Sequence, residues 1–202
     1  MTGILSADRA QWRAWLASQS GTAEEIWLVI PHARHRTSEN PGISHREAIE
    51  EALCFGWIDS HARGYDEGSM VQRFSPRGPR STWSKVNREL VEQLDTAGLM
   101  TPAGRAVVDL AKRTGTWSAL AQAQDGIVPD DLRAALDAAA SAFVDALSPS
   151  SRRSILEWVA RAKRPDTRRR RIARIADCAA VSTTPPELNL RTRATPAAVA
   201  TS

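Results

Sequence analysis

The stretch GWIDSHARGYDEGSMVQRFSP (Gly56–Pro76) decides the fold. WIDSHARG and MVQRFS are short runs with strand character, and YDEGS between them has turn composition. Together they predict an antiparallel hairpin. Strand side chains alternate, which places Trp57, Asp59, His61 and Arg63 on one face and Ile58, Ser60 and Ala62 on the other. A face carrying Trp, Asp, His and Arg is either a solvated outer surface or the wall of a polar pocket.

On the N-terminal side, Ser44 and Glu47 have the S-x-x-E spacing of a capping box and open a helix whose inner face is Ala48, Ile49, Ala52 and Leu53. Before it, EEIWLVIP reads as a buried strand ended by Pro31. Ser6 is the expected cap of a first helix carrying Trp12, Trp15 and Leu16 at helical spacing. On the C-terminal side the chain is helical almost throughout. KVNRELVEQLDTAG ends at Gly98, and the next helix starts with Thr101 as cap and Pro102 at its first position. PDDLRAALDAAASAFVDAL, PSSRRSILEWVARAK and PDTRRRRIARIADCAA suggest further helices. The expected class is α+β: a small antiparallel sheet with helices in the N-terminal half (1–98), packed on a C-terminal helical half (99–181). Residues 182–202 are polar and proline-bearing, which predicts a disordered tail.

Composition narrows the function. The net charge of +4 over 202 residues is modest, but Pro149–Cys178 holds ten basic residues against three acidic ones. Such a local patch attracts phosphates or acidic partners without making the molecule a polycation. Seven of the eleven aromatic residues are tryptophans, which suit pockets as well as cores. Cys54 and Cys178 lie far apart and have no zinc spacing; Cys54, in ALCFGW, reads as a buried hydrophobe. His32, His35, His45 and His61 have no carboxylate spacing to support a metal site, and no cofactor is expected. The N-terminus shows no signal-peptide pattern and no apolar run approaches a membrane span, so a cytoplasmic location without membrane insertion is expected.

The loop RFSPRGPRSTWS (Arg73–Ser84) concentrates the candidate chemistry. It joins a strand to a helix that Ser81, Thr82 or Ser84 can cap. Oriented N–H groups beside Arg73, Arg77 and Arg80 make an anion site, stiffened by Pro76 and Pro79. Three charged hydrogen bonds supply about 5–9 kcal/mol, against an association cost of about 4 kcal/mol or more. Apolar contact from Trp57 or Trp83 must add the rest. The structural alternative is that Arg73 and Arg77 pair with Asp59 or a neighbouring carboxylate. Asp59 and His61 are a second candidate, as an acid/base pair, though about 7 Å apart along a strand. A third is a nucleic-acid or partner-docking surface on the Arg168–Arg174 helix. There Ile172, Ile175, Ala176 and Ala179 form an apolar stripe and the arginines face outward, with no helix-turn-helix or RNP-type motif to support nucleic-acid binding.

EALCFGWIDS, RFSPRGPRSTWSKVN, GLMTPAG and KRPDTRRRRIARI, in this order, resemble the YdeI/OmpD-associated family, often labelled bacteriocin-protection proteins. The resemblance runs from about Trp12 to Ala180. It places the family's motif on Gly56, Trp57, Asp59, Arg73, Pro76, Arg77, Ser81, Trp83, Ser84 and Asn87. The label implies a part in tolerating antimicrobial peptides or envelope stress. Where the family carries a lysine after the first strand, this chain has VIPHARHR, which offers His32, Arg34 or Arg36 instead. The expectation is a stress- or resistance-type protein binding a small carboxylate or phosphate. The ligand would lie among Trp57, Arg73, Arg77, Arg80, Ser81, Trp83, Ser84 and Asn87.

Overall fold

The computed structural model describes residues 3–37 and 42–190. The chain divides into two units, Met1–Ser118 and Ala119–Ser202. The class is α+β, with a four-stranded sheet and four helices in the first unit and helices alone in the second, among the described residues.

In the first unit, β1 (Ile4–Ser6) leads through the cap Asp8 into α1 (Arg9–Gln19). Next come β2 (Ile26–Pro31), a 3-10 turn at Ala33–His35 and α2 (His45–Cys54). The hairpin β3 (Trp57–Gly64) and β4 (Ser69–Pro76) follows, then α3 (Lys85–Thr96) and α4 (Pro102–Thr114). The sheet order is β1-β2-β4-β3. The β2–β4 and β3–β4 pairs are antiparallel, as expected. β1 adds a parallel edge, pairing Ser6 with Val29. Ser6 is therefore not the cap of α1; Asp8 is, in a complete capping box with Gln11. The capping box of Ser44 and Glu47 is present at α2.

β2 alternates strictly, burying Ile26, Leu28 and Ile30. These meet Trp12 and Leu16 of α1, Ala48 and Ala52 of α2, and Trp57 and Phe74 of the hairpin in one cluster. Trp12 lies 5.3 Å from both Trp15 and Phe74, and its Nε1 donates to Ala48 O at 3.1 Å. A second cluster joins Leu53, Cys54, Trp83, Leu90, Val91, Leu94, Met100, Val108 and Ala111. It holds α3 and α4 against the C-terminal end of α2.

The hairpin departs from simple alternation. Asp59 pairs with Phe74, but Ala62 pairs with Gln72, so Ser60 and His61 oppose Arg73 alone. This β-bulge flips the parity beyond it. Arg63 pairs with Val71, which points opposite to Phe74, and its guanidinium lies 4.7 Å over Trp27. The expected single face of Trp57, Asp59, His61 and Arg63 is thus broken after Asp59.

The second unit contains α5 (Ala121–Gln124), α6 (Asp130–Ala135), α7 (Ala138–Ala146), α8 (Pro149–Ala160) and α9 (Pro165–Ala180). PDDLRAALDAAASAFVDAL is two helices rather than one, because Leu136 is extended and Asp137 caps α7. Leu132, Val144, Ile155, Leu156, Val159 and Ile175 form the core of this unit. Of the tail expected to be disordered, 191–202 lies outside the described residues. In 182–190, Pro186–Leu188 forms a 3-10 turn, and Leu188 and Leu190 pack on this core. No helix among the described residues is long and apolar enough to cross a membrane.

Candidate functional site

The turn after β4 is anchored at its first residue. Arg77 N–H donates to Gly56 O at 2.9 Å, and Gly56 itself sits at φ +76°, a conformation that favours glycine. From there the Arg77 side chain runs inward rather than out to solvent. It is only 6% exposed, and its guanidinium lies 3.7 Å from the ring centroid of Trp83. Nη1 donates to Thr82 O at 3.2 Å. Nε and Nη2 are buried and have no hydrogen-bond partner, and the buried indole Nε1 of Trp83 also has none.

Trp83 is fixed on its other sides. Its N–H donates to Thr116 O at 3.3 Å, its ring lies 4.9 Å from Trp117, and Arg88 Nη1 bonds the carbonyls of both tryptophans. Ser84 caps α3, accepting from Asn87 N at 3.2 Å. A cavity of about 130 Å³ lies beside these groups, lined by Arg77, Ser81 and Trp83 on one side and by Val107, Leu110 and Ala111 of α4 on the other.

The electrostatics are lopsided. Burial drives the Arg77 guanidinium down to about 10, opposed only by the more distant charge of Asp59. Buried arginines are ordinarily paired. This one has no ion-pair partner among the described residues, and two of its three nitrogens are idle.

Residues 4–107 match a family model described as Domain of unknown function (DUF8412), and residues 125–181 match Bacteriocin-protection, YdeI or OmpD-Associated. The chain belongs to the DUF8412 family, and its helical half carries a stretch that matches the YdeI/OmpD-associated, bacteriocin-protection model. Arg77 and Trp83 fall in the first matched stretch, and the arginine-rich helix falls in the second. No curated protein and no solved structure matches the chain.

The remaining candidate residues separate. Arg73 points to the opposite sheet face, where Nε donates to Glu25 at 2.6 Å and Nη1 to Ser60 Oγ at 3.2 Å. Trp57 belongs to the sheet core and donates its Nε1 to Ser20 O at 3.3 Å. Arg80 is exposed, while Ser81 is half-buried and lines the cavity. Asn87 and Ser84 form the helix cap and do not line it. Asp59 is half-buried just before the bulge, and His61 is exposed within it. No group of three or more His, Cys, Asp or Glu among the described residues forms a metal-binding cluster. His32 and Arg36 line a different hollow, and Arg34 bonds His35.

The sequence reading did not single out Val107, Leu110, Ala111 or Thr116. One signal was present: Gly104, inside a helix. A Cβ there would lie 2.2 Å from Cys54 O, so glycine is what lets α4 approach α2 at backbone distance and form the cavity wall.

The α9 arginines are largely engaged within their own unit. Arg168 holds Asp131 through two hydrogen bonds, Arg169 pairs with Asp166, Arg174 with Glu187, and Arg171 donates to Trp158 O.

Proposed function

We propose that this protein binds a small anion beside Arg77 and Trp83, as a cytoplasmic member of a stress- or antimicrobial-resistance family. The observation that carries the reading is the buried guanidinium whose Nε and Nη2 have no partner. A buried donor left unmade costs about 1–3 kcal/mol, more when charged. An incoming acceptor removes that cost. Because the protein has already desolvated and oriented the donors, little further ordering is lost on binding. Trp83 Nε1 and the Ser81 hydroxyl offer additional donors beside the same cavity.

Size limits the guest. Typical ligand pockets run roughly 300–1,000 Å³, so 130 Å³ suits a molecule of a few heavy atoms. An affinity on the order of a millimolar follows from so small a contact. The two idle nitrogens are shut off from solvent, so entry requires a local shift of the groups around them.

The test is a titration of the full chain, followed by the indole N–H resonances of Trp83 and Trp117. Sodium acetate and sodium phosphate are compared with sodium chloride at constant ionic strength. A saturable shift at Trp83 in the natural protein, absent in Arg77→Met, is expected. No saturable shift with either salt, or the same shift in the variant, overturns the reading.

A further inference from the structure

Arg168 shows how this protein fills a guanidinium edge. Its Nε and Nη2 take the two oxygens of Asp131 at 2.6 and 2.8 Å, the side-on fork that matches a planar carboxylate. The two idle nitrogens of Arg77 are the same pair, Nε and Nη2. The third, Nη1, is already committed to Thr82 O, and one face of the guanidinium is covered by Trp83. What remains unbonded is that edge, which a ligand reaches once the groups closing it off from solvent move aside.

Charge count favours a single negative charge. The lining holds one buried cation, Arg77, and no second basic residue. A phosphate with two charges would bury one of them without a partner, whereas a carboxylate is balanced. Donor count agrees: the Arg77 edge, Trp83 Nε1 and the Ser81 hydroxyl give four donors, as many as the lone-pair sites of one carboxylate. The opposite wall, Val107, Leu110 and Ala111, is aliphatic, and the hydroxyl of Thr116, also in the lining, is engaged with Thr114 Oγ1 and Ala111 O. At roughly 30 Å³ per water-sized group, 130 Å³ admits about four such groups, a carboxylate carrying about one or two carbons more.

We propose that the ligand is a short-chain aliphatic monocarboxylate, held edge-on by Arg77 Nε and Nη2 with its tail against Val107, Leu110 and Ala111. This rests on the anion reading above. An α-ammonium group would find no carboxylate in the lining, so amino acids of the same length are excluded by the same charge count.

The test uses the full chain and the Trp83 indole resonance, titrated with formate, acetate, propionate, butyrate and hexanoate. Inorganic phosphate, propionamide and alanine are run alongside. Affinity should rise by about fourfold per methylene to acetate or propionate and then fall along butyrate and hexanoate. Phosphate, propionamide and alanine should each bind at least about tenfold more weakly than propionate. Ala111→Leu, which fills the aliphatic side, should remove the gain from formate to propionate. Phosphate binding as tightly as propionate, or a flat response along the chain-length series, overturns the carboxylate assignment and leaves anion binding standing. No shift with any anion removes both.

Discussion

An arginine buried as deeply as Arg77 destabilises the fold unless something answers it. At neutral pH it is protonated in both the folded and unfolded chains, so the depression to about 10 stands as a cost of roughly 3 kcal/mol against folding. The sign follows from proton counting: the unfolded chain holds the proton more tightly, so stability rises only as pH climbs through about 10. The contact with Trp83 returns about 2 kcal/mol and the bond to Thr82 O part of the remainder. Trp83→Phe isolates the idle indole donor. It keeps a ring under Arg77 while removing Nε1, so unfolding free energy should be unchanged or higher by about 1–2 kcal/mol. Carboxylate affinity should weaken severalfold. Denaturant unfolding and the same titration check both. At this scale the sequence placed Arg77 and Trp83 in one proline-stiffened loop, and the structure brings the guanidinium over the ring. The sequence did not show that Arg73 belongs elsewhere, because its partner Glu25 is 48 residues away.

Elements meet the site through two glycines. Gly104 brings α4 onto the end of α2, where Thr101 Oγ1 also donates to Cys54 O at 2.6 Å. Gly56 holds φ +76°, and a Cβ there would lie 2.7 Å from Val107 Cγ2. Gly104→Ala should cost about 1–3 kcal/mol by overpacking, at the upper end because the obstacle is backbone. It should also disturb the cavity wall. Gly115→Ala is the control: its φ is +74° but nothing lies within 4 Å, so only the left-handed penalty of about 1–2 kcal/mol remains. Chemical unfolding of the two variants separates them. The caps at Ser44, Thr101 and Pro102 were legible because capping is local chemistry. The bulge at Ser60–His61 was not, since nothing local marks which residue a partner strand will skip. β1 was hidden for a related reason, being three residues long and stabilised by β2 rather than by itself.

Charge governs behaviour at the scale of the whole molecule. Hydrogen bonds from Ser44 hold Glu47 below the usual carboxylate range, Ser69 does the same for Asp66, and Arg168 for Asp131. Groups depressed on folding stabilise above their unfolded values and lose that contribution as pH falls through the folded ones. Stability should therefore be flat near neutrality and decline below about pH 4, as thermal melts across pH would record. From sequence the Arg168–Arg174 helix is a third candidate, as a docking surface, yet most α9 arginines already meet acceptors of their own unit. Duplex DNA should bind no tighter than the roughly 10⁻⁴–10⁻⁶ M of non-specific contact. Nanomolar anisotropy titrations at physiological salt would restore that surface as a nucleic-acid site. The α+β class was legible because hydrophobic period switches along the chain; the carboxylates that occupy α9 were not, because ion pairs follow from tertiary placement.

The most direct measurement is the melting temperature of the natural protein and of Arg77→Met, each with and without saturating propionate. Binding to the folded state alone raises the melting temperature by mass action. The natural protein should melt higher with propionate. Arg77→Met should melt at or above the ligand-free natural protein and show no response to the salt. A variant that melts far lower, beside a natural protein that propionate does not stabilise, would mean that Arg77 holds the fold together and receives no ligand.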